Sequence, residues 1–309
     1  MITTVTLNAS IDKAYHMTGT IQNGAVMRVT ACNNTAGGKG LNVARIVRRC
    51  GVQVQATGLV GGYNGQYLEA LLDADGLAHS FQHVAGETRS CINILDEGYG
   101  STEYLEPGCT ITAEEERQFM ELFPDVIRDS DVITISGSLP KGVGVDIYGR
   151  MISVAKALGK RVILDTSGEP LRQSLHACPT MVKPNREELE ALYGVRLESL
   201  RDVIDKATLI FNSGIPYVVV SLGGDGALLV CADGAFQAKP PKVEVVNTVG
   251  CGDSMVGAFA VALQRGATPT QVLQYAVAVA TANALSPNTG DFIPDTCDKI
   301  LDHVTITQL

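Results

Sequence analysis

Asn247-Thr248-Val249-Gly250-Cys251-Gly252-Asp253-Ser254 leads into a helical pattern over Gly252–Gln264. The backbone N–H groups of Cys251, Gly252 and Asp253 sit where a helix has no preceding carbonyls to receive them. They can converge on an anion at the positive end of the helix. Asp253 has two readings at this point: a first-turn carboxylate favoured by the helix dipole, or a general base beside a reacting group.

Upstream of this stretch, short aliphatic runs recur at Ile2–Leu7, Val54–Val60, Val132–Ser136, Arg161–Asp165, Tyr217–Ser221 and Ala227–Cys231. Several are almost wholly apolar, which suits strands buried on both faces. Helical spacing appears between and after them, over Leu41–Cys50, Ala113–Arg128, Val145–Leu158, Arg186–Tyr193, Leu200–Ser213 and Thr270–Leu285. Strands alternating with helices predict a three-layer α/β chain with a largely parallel sheet and right-handed crossovers. Ile11–Thr35 and Glu87–Gly108 interrupt that rhythm with short polar strands and turns. Structureless loops of that length are uncommon in compact domains, so the two stretches are expected to form one small β-rich excursion.

Three further motifs open helices or end strands. Ala36-Gly37-Gly38-Lys39-Gly40-Leu41-Asn42 is a glycine turn at a helix start, suited to an anion or a hydroxyl oxygen, with Lys39 adding charge. It is not a Walker A loop, because Gly40 stands where Ser or Thr belongs. Lys183-Pro184-Asn185-Arg186-Glu187-Glu188 follows the short strand Thr180–Val182. Its Asn185 and Glu188 share one face of the first helical turn. They form a capping box or orient water on Mg²⁺, and both can hold. Ser221-Leu222-Gly223-Gly224-Asp225-Gly226 ends a buried strand; it is either a plain hairpin turn or a nucleotide cradle at the sheet's carboxyl edge. Arg45, Arg48 and Arg49 read as the solvated face of a helix. His79 and His83 flank a strand-like Phe81 and read as surface residues.

Composition removes other classes. The 309 residues are 45% apolar and 18% charged, which is globular. Lys+Arg 24 against Asp+Glu 33 gives a net charge of −9, which opposes attraction to nucleic acid or anionic lipid. Any anionic substrate needs a local basic cluster. None of the eight cysteines is spaced as C-x-x-C, so neither zinc nor a redox pair is expected. H-E-x-x-H, G-x-S-x-G and a complete G-x-G-x-x-G are absent. No run of about 18 apolar residues and no signal-peptide pattern occurs, and a cytoplasmic protein is expected.

Taken together, Gly37-Gly38-Lys39-Gly40-x-Asn42, the Asn185/Glu188 element and Asn247–Ser254 occur in the order found in PfkB (ribokinase-like) carbohydrate kinases. The chain resembles that family over essentially its whole length. Within it, Thr6-Leu7-Asn8-x-Ser10-Ile11-Asp12, Gly86-Glu87-Thr88-Arg89, Ser136-Gly137-Ser138-Leu139-Pro140 and Asp165-Thr166-Ser167-Gly168 are similar to the phosphosugar kinases. Ala9 stands where these commonly have Pro, and Cys251 where Ala or Ser is commoner.

The resemblance implies a ribokinase-like three-layer α/β sandwich with a mostly parallel central sheet and a small β-sheet lid. The kinase domain is expected over 1–10, 36–86 and 109–309, and the lid over 11–35 and 87–108. It implies ATP and Mg²⁺ as cofactors, and a ketohexose monophosphate converted to the 1,6-bisphosphate. Tagatose 6-phosphate is the first choice. The alternative is fructose 1-phosphate, and a more distant one a non-catalytic sugar-phosphate sensor. Asp253 is the implied catalytic base, the N–H groups of Cys251, Gly252 and Asp253 are the implied anion hole, and Gly250 is implied as a catalytic residue with them. Asp12, Gly37, Gly38, Asn42 and Ser138 are implied around the sugar, and Arg28, Lys39 and Arg89 around its phosphate. Lys183, Ser221, Leu222, Gly223, Gly224, Asp225, Gly226, Thr248, Gly252 and Asn283 are implied around ATP, and Asn185 and Glu188 around Mg²⁺ through water. A homodimer through the lid is expected, with no nucleic-acid or membrane partner.

Overall fold

Val219 and Ile163 belong to one hydrophobic core, while their strand neighbours Val218, Val220, Val162 and Leu164 belong to another. Side chains of a strand alternate between faces, so a sheet apolar on both faces must be covered on both. The computed structural model, which describes Met1–Leu309, shows that arrangement. Its strands are β1 (Ile2–Thr6), β2 (Ser10–His16), β3 (Ala31–Gly37), β4 (Val54–Gly61), β5 (Ala78–Val84), β6 (Arg89–Asp96), β7 (Gly100–Leu105), β8 (Val132–Ser136), β9 (Arg161–Asp165), β10 (Met181–Val182), β11 (Tyr217–Ser221), β12 (Ala227–Cys231), β13 (Gly234–Lys239) and β14 (Thr305–Gln308). Its helices are α1 (Lys39–Arg49), α2 (Gly62–Ala74), α3 (Ala113–Val126), α4 (Ile147–Ala157), α5 (Gly168–Ser174), α6 (Arg186–Tyr193), α7 (Leu200–Asn212), α8 (Cys251–Gln264), α9 (Pro269–Ala284) and α10 (Pro294–Leu301).

The large sheet has ten strands in the order β14-β13-β12-β11-β10-β9-β8-β1-β4-β5. From β5 to β11 neighbouring strands are parallel, and β12, β13 and β14 extend the sheet antiparallel. On one face lie α1, α8, α9 and α10, with Leu41, Phe259 and Val277 in the core. On the other lie α3 to α7, with Phe119, Tyr148, Leu189 and Val203. Each such large side chain contributes about 1.5–3 kcal/mol through burial.

The small sheet has four strands in the order β3-β2-β6-β7 and is mixed: β2 and β6 are parallel, the other pairs antiparallel. Its strands come from the two stretches that interrupt the strand–helix rhythm. The chain leaves the large sheet after Thr6, enters the small one at Ser10, and returns from Gly37 directly into α1. The Ser10–Asp12 and Gly37–Asn42 segments therefore lie where the two sheets meet.

Several elements lack a sequence signal. Helix α2 buries only Gly65, Leu68 and Leu72 and leaves Tyr63 and Tyr67 exposed, so its apolar stripe is too narrow to register. The edge strand β14 has no buried residue. Helices α1 and α8 start slightly before their apolar spacing does, at Lys39 and Cys251. No helix is long and apolar enough to cross a membrane.

Candidate active site

Strand β9 ends in Asp165, β10 runs into Lys183 and β11 ends in Ser221, so three parallel strands present these residues at one carboxyl edge. That is where parallel α/β sheets bind ligands. The N-termini of α1 and α8 arrive at the same edge. Asp12, Gly38, Lys39, Asn42, Arg89, Gly250, Gly252 and Asp253 line one cleft between the sheets.

The small-sheet side of the cleft is built by strand pairing. Ser10 sits opposite Gly37 across β2 and β3, and Ser10 Oγ donates to Asp12 Oδ1 at 2.6 Å. A Cβ on Gly37 would lie 2.0 Å from that same Asp12 oxygen, so only glycine lets the carboxylate rest there. Burial pushes the Asp12 carboxyl up; Ser10, Arg45 and Arg89 oppose the shift. Next to Gly37, Gly38 caps α1, whose first two N–H groups, Lys39 and Gly40, have no intrahelical partner.

The chemical side is built by α8. Gly250 takes φ 80°, a left-handed turn that other residues resist, and caps the helix. The N–H groups of Gly252 and Asp253 make no hydrogen bond, while that of Cys251 donates to Thr248 O at 3.3 Å. The expected three-donor hole is thus two free donors and one engaged in the turn. Asp253 is 6% exposed. Burial, then the charge of Asp165, pushes its carboxyl up to about 6; Lys39, the Asn42 hydrogen bond and Lys183 pull the other way. Asn42 Nδ2 donates to Asp253 Oδ2 at 2.8 Å. A buried carboxylate with a proton affinity near neutrality, beside free N–H donors, suits proton abstraction next to a developing anion.

Behind it, Asp165 Oδ1 lies 3.0 Å from Lys183 Nζ and Oδ2 lies 3.5 Å from Lys39 Nζ. Asp165 holds the Lys39 ammonium above the usual lysine range. Asp165 is 1% exposed and was missed as a site residue. In the sequence it opens the Asp165–Gly168 segment but carries no site role of its own; that comes from two lysines 126 and 18 positions away.

The segments expected around a nucleotide lie beside it. Ser221 N–H donates to Pro184 O at 3.1 Å, joining the two edge turns. Gly223–Asp225 is a 3₁₀ turn in which Gly223 and Gly224 are exposed with open space around them. Leu222 and Gly226 close the turn at 2.9 Å. Asn185 and Glu188 form a full capping box: Glu188 N–H donates to Asn185 Oδ1 at 2.7 Å, and Asn185 N–H to Glu188 Oε2 at 2.9 Å. Glu188 Oε1 stays outside the box.

Four expected residues are placed differently from the rest. Arg28 is exposed on the loop between β2 and β3 and does not line the cleft of its own chain. Ser138 is exposed outside the cleft lining and accepts a hydrogen bond from Asn8 Nδ2 at 3.2 Å. Asn283 has no exposed surface. Its amide donates to Val249 O at 3.1 Å and Cys251 Sγ at 3.5 Å, and accepts from Gly290 N–H at 3.0 Å. It holds the loop ahead of α8 in shape and has nothing left for a nucleotide. Arg89 lines the cleft, yet donates to Asn8 O twice, at 3.2 and 3.1 Å, and to Glu106 O at 2.9 Å. Arg45 is not a solvated helix face either: its side chain is 17% exposed and fully engaged.

A profile of the pfkB family carbohydrate kinases matches residues 5–296. The tagatose-6-phosphate kinase of Staphylococcus epidermidis is 36% identical over 315 aligned residues, covering 100% of each chain. Among solved structures, phosphofructokinase-2 from Escherichia coli in complex with potassium aligns with a TM-score of 0.92 at 34% identity, covering 98% of each chain. A protein from Thermotoga maritima described as a possible 1-phosphofructokinase aligns with a TM-score of 0.90 at 26% identity, covering 100% of this chain and 99% of that one.

Proposed function

The chain belongs to the PfkB family of carbohydrate kinases and is a phosphotransferase acting on a sugar hydroxyl; from that premise we propose that it moves the γ-phosphoryl group of ATP to O1 of a ketohexose 6-phosphate, tagatose 6-phosphate foremost. The observation that carries this reading is the buried Asp253 carboxylate at the start of α8, beside the free N–H groups of Gly252 and Asp253. The identity to a tagatose-6-phosphate kinase over the full chain supports the choice of sugar.

In this mechanism Asp12 and Asn42 hold sugar hydroxyls, and Lys39 and Arg89 face the sugar phosphate. Asp253 takes the proton of the O1 hydroxyl. The O1–phosphorus bond forms as the bond from the γ-phosphorus to the bridging oxygen breaks, and that electron pair leaves with ADP. Charge on the moving phosphoryl group meets the N–H donors at the start of α8. Gly223, Gly224 and Thr248 are exposed and offer the surface for the nucleotide.

Mg²⁺ fits this donor set. Glu188 Oε2 is in the capping box while its Oε1 has no partner and stays available at the carboxyl edge of the sheet. Glu188 would hold the ion through water, whereas the Asn185 oxygen is committed to the cap and both Asp165 oxygens face lysine ammonium groups. When bound, the ion neutralises the donor phosphates.

The proposal includes a body of residues 1–10, 36–86 and 109–309, a lid of 11–35 and 87–108 that closes over the sugar, and a cytoplasmic location. A homodimer through the lid belongs to it as well. Val26, Tyr104 and Leu105 of the small-sheet region are 88%, 59% and 65% exposed, and a second copy would cover them. Fructose 1-phosphate is the second reading, favoured by the likeness to the Thermotoga maritima protein. ADP release measured with tagatose 6-phosphate, fructose 6-phosphate and fructose 1-phosphate decides between them. The highest kcat/KM is expected on tagatose 6-phosphate, with overlap onto fructose 6-phosphate. A clear preference for fructose 1-phosphate overturns the choice of sugar, and no release with any of them overturns the kinase reading of this site.

A further inference from the structure

We propose that Arg45 is a positioning residue for phosphoryl transfer: it locks the Asn42 side-chain amide so that Nδ2 faces the Asp253 carboxylate and Oδ1 does not. The proposal rests on the assignment of Asp253 as base. Arg45 and Asn42 are one helical turn apart on α1, hence on one face. Arg45 Nη1 donates to Asn42 Oδ1 at 3.1 Å, and Asn42 Nδ2 donates to Asp253 Oδ2 at 2.8 Å. A guanidinium is only a donor and a carboxylate only an acceptor, so an amide between them has one satisfied orientation.

The guanidinium is itself fixed from both sides. Nη2 donates to Ala36 O at 2.5 Å, and Nε lies 3.2 Å from Asp75 Oδ2. Asp75 follows α2, and Ala36 immediately precedes the Gly37-Gly38 turn. A chain of contacts thus runs from Asp75 through Arg45 and Asn42 to Asp253, and it occupies Oδ2 of the base. That leaves Oδ1 as the proton acceptor. Without Arg45 the amide can turn over and set Oδ1 against the carboxylate. Two oxygens in that position are compatible only when Asp253 carries a proton, so the base would bind its proton more tightly.

The other charges facing the pair are Asp12 of β2 near Arg45, and Asp165, Lys39 and Lys183 around Asp253. None of them contacts the Asn42 amide, so none can substitute for Arg45 in orienting it.

The test compares Arg45→Met, Arg45→Lys, Asn42→Ala and Asp75→Asn in the full chain. Two readouts are needed: the pH profile of kcat, and the titration of the Asp253 carboxyl carbon by NMR. Arg45→Met should lower kcat by about tenfold to a hundredfold, less than loss of the general base itself at about 10²–10⁴-fold, and change the sugar KM less. Its acid limb should move to higher pH, and the Asp253 carbon should titrate at higher pH with it. In an Asn42→Ala background Arg45→Met should add almost nothing, because its effect passes through that amide. Arg45→Lys keeps the charge without the planar fork and should lie between. Asp75→Asn keeps an oxygen acceptor for Arg45 Nε, so the guanidinium stays fixed and the limb should stay in place.

Additive losses with an unmoved limb would overturn the proposal and leave Arg45 as a brace between α2 and β3. If Arg45→Met does not fold, the Asn42→Ala and Arg45→Lys limbs decide alone: an unmoved limb in both overturns it. The carboxyl titration does not need turnover, so it judges Arg45 even if every sugar fails.

Discussion

Lys183 Nζ lies 3.0 Å from Asp165 Oδ1, with the two side chains 5% and 1% exposed. A buried pair of this kind adds little net stability, but losing one partner leaves an uncompensated charge. Here Lys39 lies 3.5 Å from the second oxygen, so one carboxylate arranges two cations behind Asp253.

Asp165→Asn should therefore move the acid limb of kcat to lower pH. The Asp253 carboxyl stands near 6 because of burial and, second, the Asp165 charge. Removing that charge makes the ionised base easier to form, and the base must be ionised to act. Stability should fall at the same time, by about 3–5 kcal/mol, because Lys183 loses its partner. A pH–rate profile and a urea melt check the two effects; a fixed limb would mean that another group controls it.

Asp253→Asn should lower kcat by about 10²–10⁴-fold, the range of a general base. ATP affinity, measured by calorimetry, should change little because the backbone donors remain. Near-normal turnover would reduce Asp253 to a helix-start carboxylate.

Glu188 has two roles that a pair of variants separates. Glu188→Gln keeps an acceptor for the Asn185 N–H, so its melting temperature should hold while the Mg²⁺ requirement rises. Glu188→Ala also removes the reciprocal half of the box and should lower the melting temperature below that of Glu188→Gln. Identical Mg²⁺ titrations in wild type and Glu188→Gln would leave the residue as a cap alone.

Arg89→Ala should cost about 1.5–3 kcal/mol in binding a phosphosugar, the range for a hydrogen bond to a charged group. Its bonds to Asn8 O and Glu106 O hold the guanidinium at the cleft. The variant should erase the advantage of the phosphorylated over the unphosphorylated sugar. Equal losses on both would mean that Arg89 only ties the small sheet to the large one.

What could be read early follows from the range of each signal. Strands β8, β9, β11 and β12 were legible to the residue because a strand buried on both faces is a short apolar run bounded by polar turns. Helix α6 was legible because its cap residues are its neighbours in the chain. Helix α2, with a narrow apolar stripe, and the exposed β14 gave no comparable pattern.

The sequence by itself determined the alternation of strands and helices, the two interrupting stretches and the glycine turns at both helix starts. All of these depend on residues a few positions apart. Only the tertiary structure decided which side chains meet. Asp165 became a site residue because Lys39 and Lys183 reach it from two other elements. Arg45 left the solvated face because Asp75 and Ala36 hold it, and Asn283 was removed from the nucleotide because it is sealed under the loop ahead of α8. Proton affinity and hydrogen-bond commitment depend on distance and burial, and a linear pattern encodes neither until the sheet has brought its edge together.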